Sequence, residues 1–222
     1  MLIDLLESLD PLFPLDSFRV CGSVPYAKKE DMTWSKMRKQ APLSDLSAIL
    51  AEEDFSHVAL AWNPDSLCVY LRVDQPCTQV EYPQFAQGDA FEVFIDTRDL
   101  KESRFFHPFC HRFLFLPKEV QGVQAREISL FRKEEGHPLC DPQKLAVAVE
   151  RHKDSYEMLL HIEGEALHGF ERGDRMKIGF SYRLHRAGNR SEAFCLSSSH
   201  FSIEQQPRFW ASFSLIPPKR RS

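Results

Sequence analysis

Asp89-Ala90-Phe91-Glu92-Val93-Phe94-Ile95-Asp96 alternates with the period of an extended strand. Side chains two residues apart share a strand face, so Phe91, Val93 and Ile95 form one stripe, while Glu92, Phe94 and Asp96 form the other. The first stripe is expected to point into a core and the second to carry solvated charge. Thr97-Arg98-Asp99 supplies a polar stop.

The same period extends in both directions. Upstream, Val58, Leu60 and Trp62 alternate with Ala59 and Ala61, Asn63-Pro64-Asp65-Ser66 provides a turn, and Leu67, Val69, Leu71 and Val73 complete a hairpin. Downstream, Arg112 to Leu116 is apolar on both faces, as in a covered central strand, and Pro117 is expected to end it. Residues 118–143, with Gly136-His137-Pro138 and Asp141-Pro142, read as loop in which no element is placed. Leu145, Val147 and Val149, then Tyr156, Met158, Leu160 and Ile162, form a second hairpin around His152-Lys153-Asp154-Ser155. Met176, Ile178, Phe180 and Tyr182 mark another strand, with Met176, Ile178 and Phe180 expected in the core. Late strands are expected around Ala193 to Ser197 and Phe209 to Leu215. About nine strands with minor helix, including a short amphipathic one at residues 2–9, give an all-β sandwich of immunoglobulin-like or jelly-roll-like type. Residues 1–19 read as an extension, 20–216 as the sandwich and 217–222 as a basic tail.

Composition fits one globular domain: 43% of the 222 residues are hydrophobic and 27% charged. Eighteen Phe against nine Gly point to strands around a bulky aromatic interior. The net charge of −4 excludes the broad positive field of a nucleic-acid-binding domain, and Lys219-Arg220-Arg221 is a short basic tail. Residues 1–18 carry Asp4, Glu7, Asp10 and Asp16 and no basic leader, and no run is long enough to span a membrane. The six scattered cysteines lack C-x-x-C spacing. A cytoplasmic location with reduced thiols is expected, so Asn189-Arg190-Ser191 reads as a chance match to a glycosylation acceptor.

In order and spacing these segments resemble carbohydrate-binding module family 9, within the wider DOMON-like group. The residues that carry the resemblance are Met32-Thr33-Trp34-Ser35-Lys36 before the first core strand, Ala61-Trp62 through Val69-Tyr70, the Asp89–Asp96 stretch as D-x-V-E-x-F-I-D, Ser155 to Leu160 with Glu157 displaced from the usual acid position, Lys177-Ile178-Gly179-Phe180, and Phe209-Trp210-Ala211-Ser212-Phe213. The resemblance implies a non-catalytic domain that binds a sugar or glycan end, with structural calcium in many members. Family members clamp a terminal sugar between two Trp side chains. Here the first position offers only Tyr82 or Phe85, the second lies in Phe201 to Gln206 without a Trp, and Trp34, Trp62 and Trp210 match framework positions. The sugar-binding candidates are therefore Tyr82 and Phe85 as platform with Asp89 and Arg112 as polar contacts, and weak binding is expected. The alternative is a protein-interaction domain that keeps the sandwich and has lost the clamp.

Other chemistry is thinly signalled. Glu92 and Asp96 share a strand face and have the spacing of calcium ligands. In an extended His107-Pro108-Phe109-Cys110-His111-Arg112, the two histidines share a face and Cys110 points away with Arg112, so the three do not close on one metal. Arg112 offers a planar, multi-donor guanidinium suited to hydroxyls or a carboxylate. Met158 and His161 could ligate haem in a DOMON relative, but a Met on an apolar strand face is core material. No G-x-S-x-G elbow or phosphate-cradling glycine loop occurs, and strand alternation sends Cys110 and His111 to opposite faces.

Overall fold

A computed structural model describes residues 19–43, 55–103, 105–131, 136–170, 176–194 and 203–218. The Asp89–Asp96 alternation becomes β4 (Ala90–Asp96) at the centre of a seven-stranded sheet. That sheet contains β1 (Cys21–Val24), β11 (Ala211–Leu215), β9 (Lys177–Arg186), β4, β5 (Cys110–Val120) and β6 (Val123–Glu127) in spatial order, with β10 (Arg190–Ala193) also paired to β9. The two expected hairpins are β2 (Ser56–Asn63) with β3 (Ser66–Val73), and β7 (Leu145–Arg151) with β8 (Tyr156–Glu163). They make a second, antiparallel sheet in the order β2-β3-β8-β7.

The sheets close on one core. Phe91, Val93, Ile95, Phe113, Phe115, Ile178 and Phe180 meet Leu67, Val69, Leu71, Met158, Leu160 and Ile162, and Met176 packs at the margin. A fully buried Phe of this kind stabilises the fold by about 1.5–3 kcal/mol through burial alone. The outer face of the smaller sheet carries α1 (Trp34–Met37), whose Met37 joins Met32, Ala59, Ala61, Cys68 and Tyr70. The framework tryptophans are tied by their indoles: Trp62 Nε1 donates to the Ile216 carbonyl at 3.0 Å and Trp210 Nε1 to the Ile203 carbonyl at 2.7 Å.

Several expectations change. Pro117 does not end β5; the strand runs to Val120 and its pairing with β6 shifts register between Phe115 and Val120, where a residue without an N–H is tolerated. The unplaced 118–143 stretch contains β6, entered by a tight turn in which Gln121 (φ 53°) and Gly122 (φ 77°) both adopt positive φ. β10 ends at Ala193, the rest of the strand expected from Ala193 to Ser197 falling largely outside the described residues, and β11 begins at Ala211 because Pro207–Phe209 forms a 3-10 turn.

The largest correction concerns the outer face of the seven-stranded sheet. Glu92, Phe94 and Asp96 are fully buried, not solvated. Val80, Tyr82 and Phe85 from the β3–β4 connection pack over Ala90, Leu114 and Leu116. Phe106 from the β4–β5 connection, with Ile203 and Trp210 from the segment before β11, covers Phe94 and Cys110. Within the described residues no helix is long and apolar enough to cross a membrane. The amphipathic segment 2–9, most of the 1–19 extension, Phe201 and Lys219-Arg220-Arg221 lie outside those residues.

Candidate functional site

Cross-strand register aligns the polar residues of the covered face. Phe94 pairs with Arg112 of β5 and Ser181 of β9, and Ala90 pairs with His185. Glu92, between them, accepts from Arg112 Nε at 2.5 Å through Oε2 and from His185 Nε2 at 2.6 Å through Oε1. Burial alone pushes the Glu92 carboxyl up, but the His185 hydrogen bond and the Arg112 charge outweigh it and hold it below the ordinary carboxylate value. Glu92 therefore fixes Arg112 by one edge. Among the described residues the terminal amino groups of Arg112 make no hydrogen bond, and its carbon lies 5.8 Å from the Phe94 ring centre.

Arg112 opens onto a pocket of about 210 Å³ lined by Phe105, Phe106, Arg112, Leu130, Phe131, Glu204 and Gln205. Phe105 is 51% exposed and Leu130 79% exposed at its mouth. Phe106 packs 5.5 Å from Phe131 and 6.0 Å from Trp210, and Arg183 Nη2 lies 3.1 Å from Glu204 Oε2. The result is an aromatic wall facing planar donors and an amide.

Of the four residues expected to bind sugar, only Arg112 lines this pocket. Tyr82 and Phe85 lie on the same sheet face over the neighbouring apolar cluster; Tyr82 Oη accepts from Arg126 Nη1 at 2.6 Å, and the Phe85 ring meets the edge of His185 at 5.8 Å. A continuous line of contacts, Phe85 to His185 to Glu92 to Arg112, joins the two ends. Asp89 is fully buried: its Oδ2 accepts from the Thr78 and Gln79 amides at 2.7 and 3.1 Å, and its Oδ1 lies 2.6 Å from Arg186 Nη1, an ion pair without hydrogen-bond alignment. Glu204 and Gln205 come from the Phe201 to Gln206 stretch in which the resemblance places the second clamp position; Phe105 and Phe131 were not singled out, and the Phe105-Phe106 pair in a connection was the one signal for Phe105.

A larger groove of about 890 Å³ lies at one end of the smaller sheet, beside Lys29, Lys144, His161, Glu163, Glu165 and Phe170. Its charges answer one another, since Lys144 Nζ sits 3.2 Å from Glu163 and 2.7 Å from Glu165. Among the described residues Phe170 is its one aromatic ring besides His161, so volume alone does not make it the better sugar site.

Glu92 and Asp96 do not fit as a calcium-ligand pair. Glu92 already binds two cationic or donor side chains, and Asp96 accepts from the Arg98 and Leu100 amides at 2.9 and 2.7 Å with His107 Nε2 3.4 Å away. His107 and His111 do not share a face, because the Cys110 amide donates to the His107 carbonyl and the chain turns there before β5 begins. Cys110 and His111 do separate, the thiol joining Asp96 and His107, the imidazole joining Glu127 and His137. Glu150 and Glu157, near His152, are bridged by Arg38. In the His111 group, burial holds His111 below its ordinary value, and Glu127 is held well below the carboxylate range by its histidine partners against the effect of burial. His161 is lowered by burial, then by Lys29, and no haem-like pairing with Met158 follows, since Met158 faces the inter-sheet core.

No protein-family model and no curated protein matches the sequence. Solved structures do match the fold. A carbohydrate-binding module family 9 from Caldicellulosiruptor kristjanssonii in complex with cellotriose superposes with a TM-score of 0.60 at 13% identity, covering 90% of this chain and 95% of that one. The module in complex with glucose gives 0.59 at 13% identity, covering 92% and 99%. A protein from Bacteroides uniformis whose carbohydrate-binding role is itself an inference gives 0.60 at 9% identity, covering 89% and 99%. The chain has the β-sandwich fold of family 9 carbohydrate-binding modules.

Proposed function

We propose that this chain is a non-catalytic carbohydrate-binding domain whose contact site is the pocket between Phe105, Arg112 and Gln205. One observation carries the reading: a half-exposed phenyl ring stands at the mouth of a pocket that also holds a guanidinium fixed by Glu92 and an exposed carboxamide. A pyranose offers a flat C–H face to an aromatic ring and hydroxyls to such donors and acceptors. The fold shared with modules solved with cellotriose and glucose supports the ligand class. A single phenyl platform gives up about 1 kcal/mol or more of stacking relative to two facing indoles, so affinity on the order of millimolar is expected. The Tyr82–Phe85 loop is the competing platform on the same face, with Asp89 acting beneath it as support.

Saturation-transfer NMR with glucose and cellotriose tests the placement. Phe105→Ala and Gln205→Ala should abolish the sugar signal while Tyr82→Ala and Phe85→Ala retain it; the reverse pattern moves the platform to the earlier loop. If the folded parent shows no transfer from either sugar while Phe105→Ala abolishes capture of a defined protein partner, the chain is an interaction domain that has kept the sandwich.

A further inference from the structure

His111, Glu127 and His137 meet on the other side of β5 from the pocket. Phe113 pairs with Glu127 across β5 and β6, which sets Glu127 diagonal to His111, and His137 arrives from the β6–β7 connection. Their side chains are 0%, 0% and 3% exposed. His111 Nδ1 and His137 Nε2 both lie 2.9 Å from the same oxygen, Glu127 Oε1, and the two rings are 4.3 Å apart.

Backbone carbonyls orient both rings from behind. The Pro108 carbonyl can only accept, and it lies 2.6 Å from His137 Nδ1, so that nitrogen carries the hydrogen. Nε2 faces Glu127 Oε1; an imidazolium donates to the carboxylate there, and the neutral ring offers the lone pair of a metal ligand. His111 repeats the pattern more loosely, with Nε2 3.4 Å from the His168 carbonyl and Nδ1 toward the shared oxygen. Ser129 Oγ accepts from the Arg112 amide at 2.9 Å and donates its own hydrogen to Glu127 Oε1 at 2.7 Å. Glu127 Oε2 takes the Cys140 amide at 2.7 Å. Two imidazole nitrogens and a carboxylate oxygen converge on one buried point, each histidine held from behind by a backbone carbonyl. Metal-ligating histidines are oriented by this kind of outer contact.

We infer that His111 Nδ1, His137 Nε2 and Glu127 Oε1 form a three-donor site for a divalent first-row transition-metal ion of the zinc type. Two imidazoles with one carboxylate suit zinc, cobalt or nickel, whereas calcium and magnesium prefer oxygen alone. Three protein donors leave at least one position for water or a further donor. The ligands tie β5, β6 and the β6–β7 connection together, so the ion acts first as a fastener of that edge of the sheet. The inference is independent of sugar binding.

The test uses the full chain stripped with chelator and confirmed folded by circular dichroism. Titration with Co²⁺ should reach one equivalent with a visible d–d band that Zn²⁺ displaces, and Zn²⁺ should shift the ring-nitrogen NMR signals of His111 and His137 in the parent. His137→Gln should weaken Co²⁺ binding by about 10-fold or more. A folded, stripped parent that binds no stoichiometric Co²⁺ or Zn²⁺ overturns the inference and leaves a plain hydrogen-bonded triad. So does stoichiometric Zn²⁺ that leaves both ring signals unmoved. The parent NMR measurement decides the matter even if His137→Gln does not fold.

Discussion

Asp89→Ala separates a structural from a ligand-contacting role for that carboxylate. The side chain has no solvent exposure, accepts two backbone amides of the β3–β4 connection, and faces Arg186, whose side chain is 3% exposed. Removing one partner of a buried ion pair leaves the other charge uncompensated, which costs about 3–5 kcal/mol. Arg186 retains its hydrogen bond to the Pro76 carbonyl at 2.8 Å and its place 5.6 Å from the Tyr156 ring, so the lower half of that range applies, about 3–4 kcal/mol. For a chain of this size each kcal/mol moves the melting temperature by about 2–4 °C, giving a fall of about 6–16 °C. Urea unfolding followed by tryptophan fluorescence reads the loss directly, since Trp62 and Trp210 are both buried. Asp89→Asn, which can still accept the amides, should fall between parent and Ala. A loss below about 1 kcal/mol for Asp89→Ala, within the range of ordinary surface substitutions, would refute the buried-anchor account.

Acid should weaken the covered face in a defined direction. Glu92 and Asp96 have folded values below their ordinary 4.5 and 3.8, so the stability they add is fully present above those values and is lost as pH falls through the lowered ones. Chemical unfolding between pH 6 and 2 should show this fall, and Glu92→Gln should flatten the part due to Glu92. Gly169→Ala should destabilise by about 1–3 kcal/mol, because the residue has φ +82° and a Cβ would stand 2.6 Å from Phe109 Cδ1 and 2.9 Å from Thr97 Oγ1; a melting temperature equal to the parent's counts against it. Among the described cysteines, maleimide should label exposed Cys21 first in the native protein, while Cys68, buried and pushed up to about 12, reacts only on unfolding, as mass spectrometry of timed samples would show.

The hairpins and the inner stripes of β4, β5, β8 and β9 were legible because strand alternation is local and one face of each stripe is buried. Nothing local marks the second face of β4 as buried. Glu92 reads as surface charge until His185, 93 residues away in sequence, and Arg112 are brought to it. The Asp89 carboxylate likewise reads as a loop acid beside two aromatics until Arg186 closes over it. The His111 group was half visible: His111 stood in a dense ligand-type run, but Glu127 ends a strand that Pro117 and the polar residues after it concealed, and His137 sits between Gly136 and Pro138 where the pattern gives only a loop. Phe105 could be flagged only as an aromatic in a polar connection, because exposure is a property of the assembled surface.

The parallel pairing of β1 with β11 sets an order of events during synthesis. Cys21 to Val24 finds its partner in Ser212 to Leu215, so one of the first strands translated waits for one of the last. Until β11 leaves the ribosome, the Ile178–Phe180 end of β9 lacks a neighbour on that side and β1 has no sheet to join. The four-stranded sheet can assemble well before this, since its final strand ends at Glu163. A nascent chain stopped short of β11 would therefore expose apolar β9 to other chains, and contacts of such long sequence separation favour slow completion. A ribosome stalled just before β11 would leave most of the core in place with its seam unsewn.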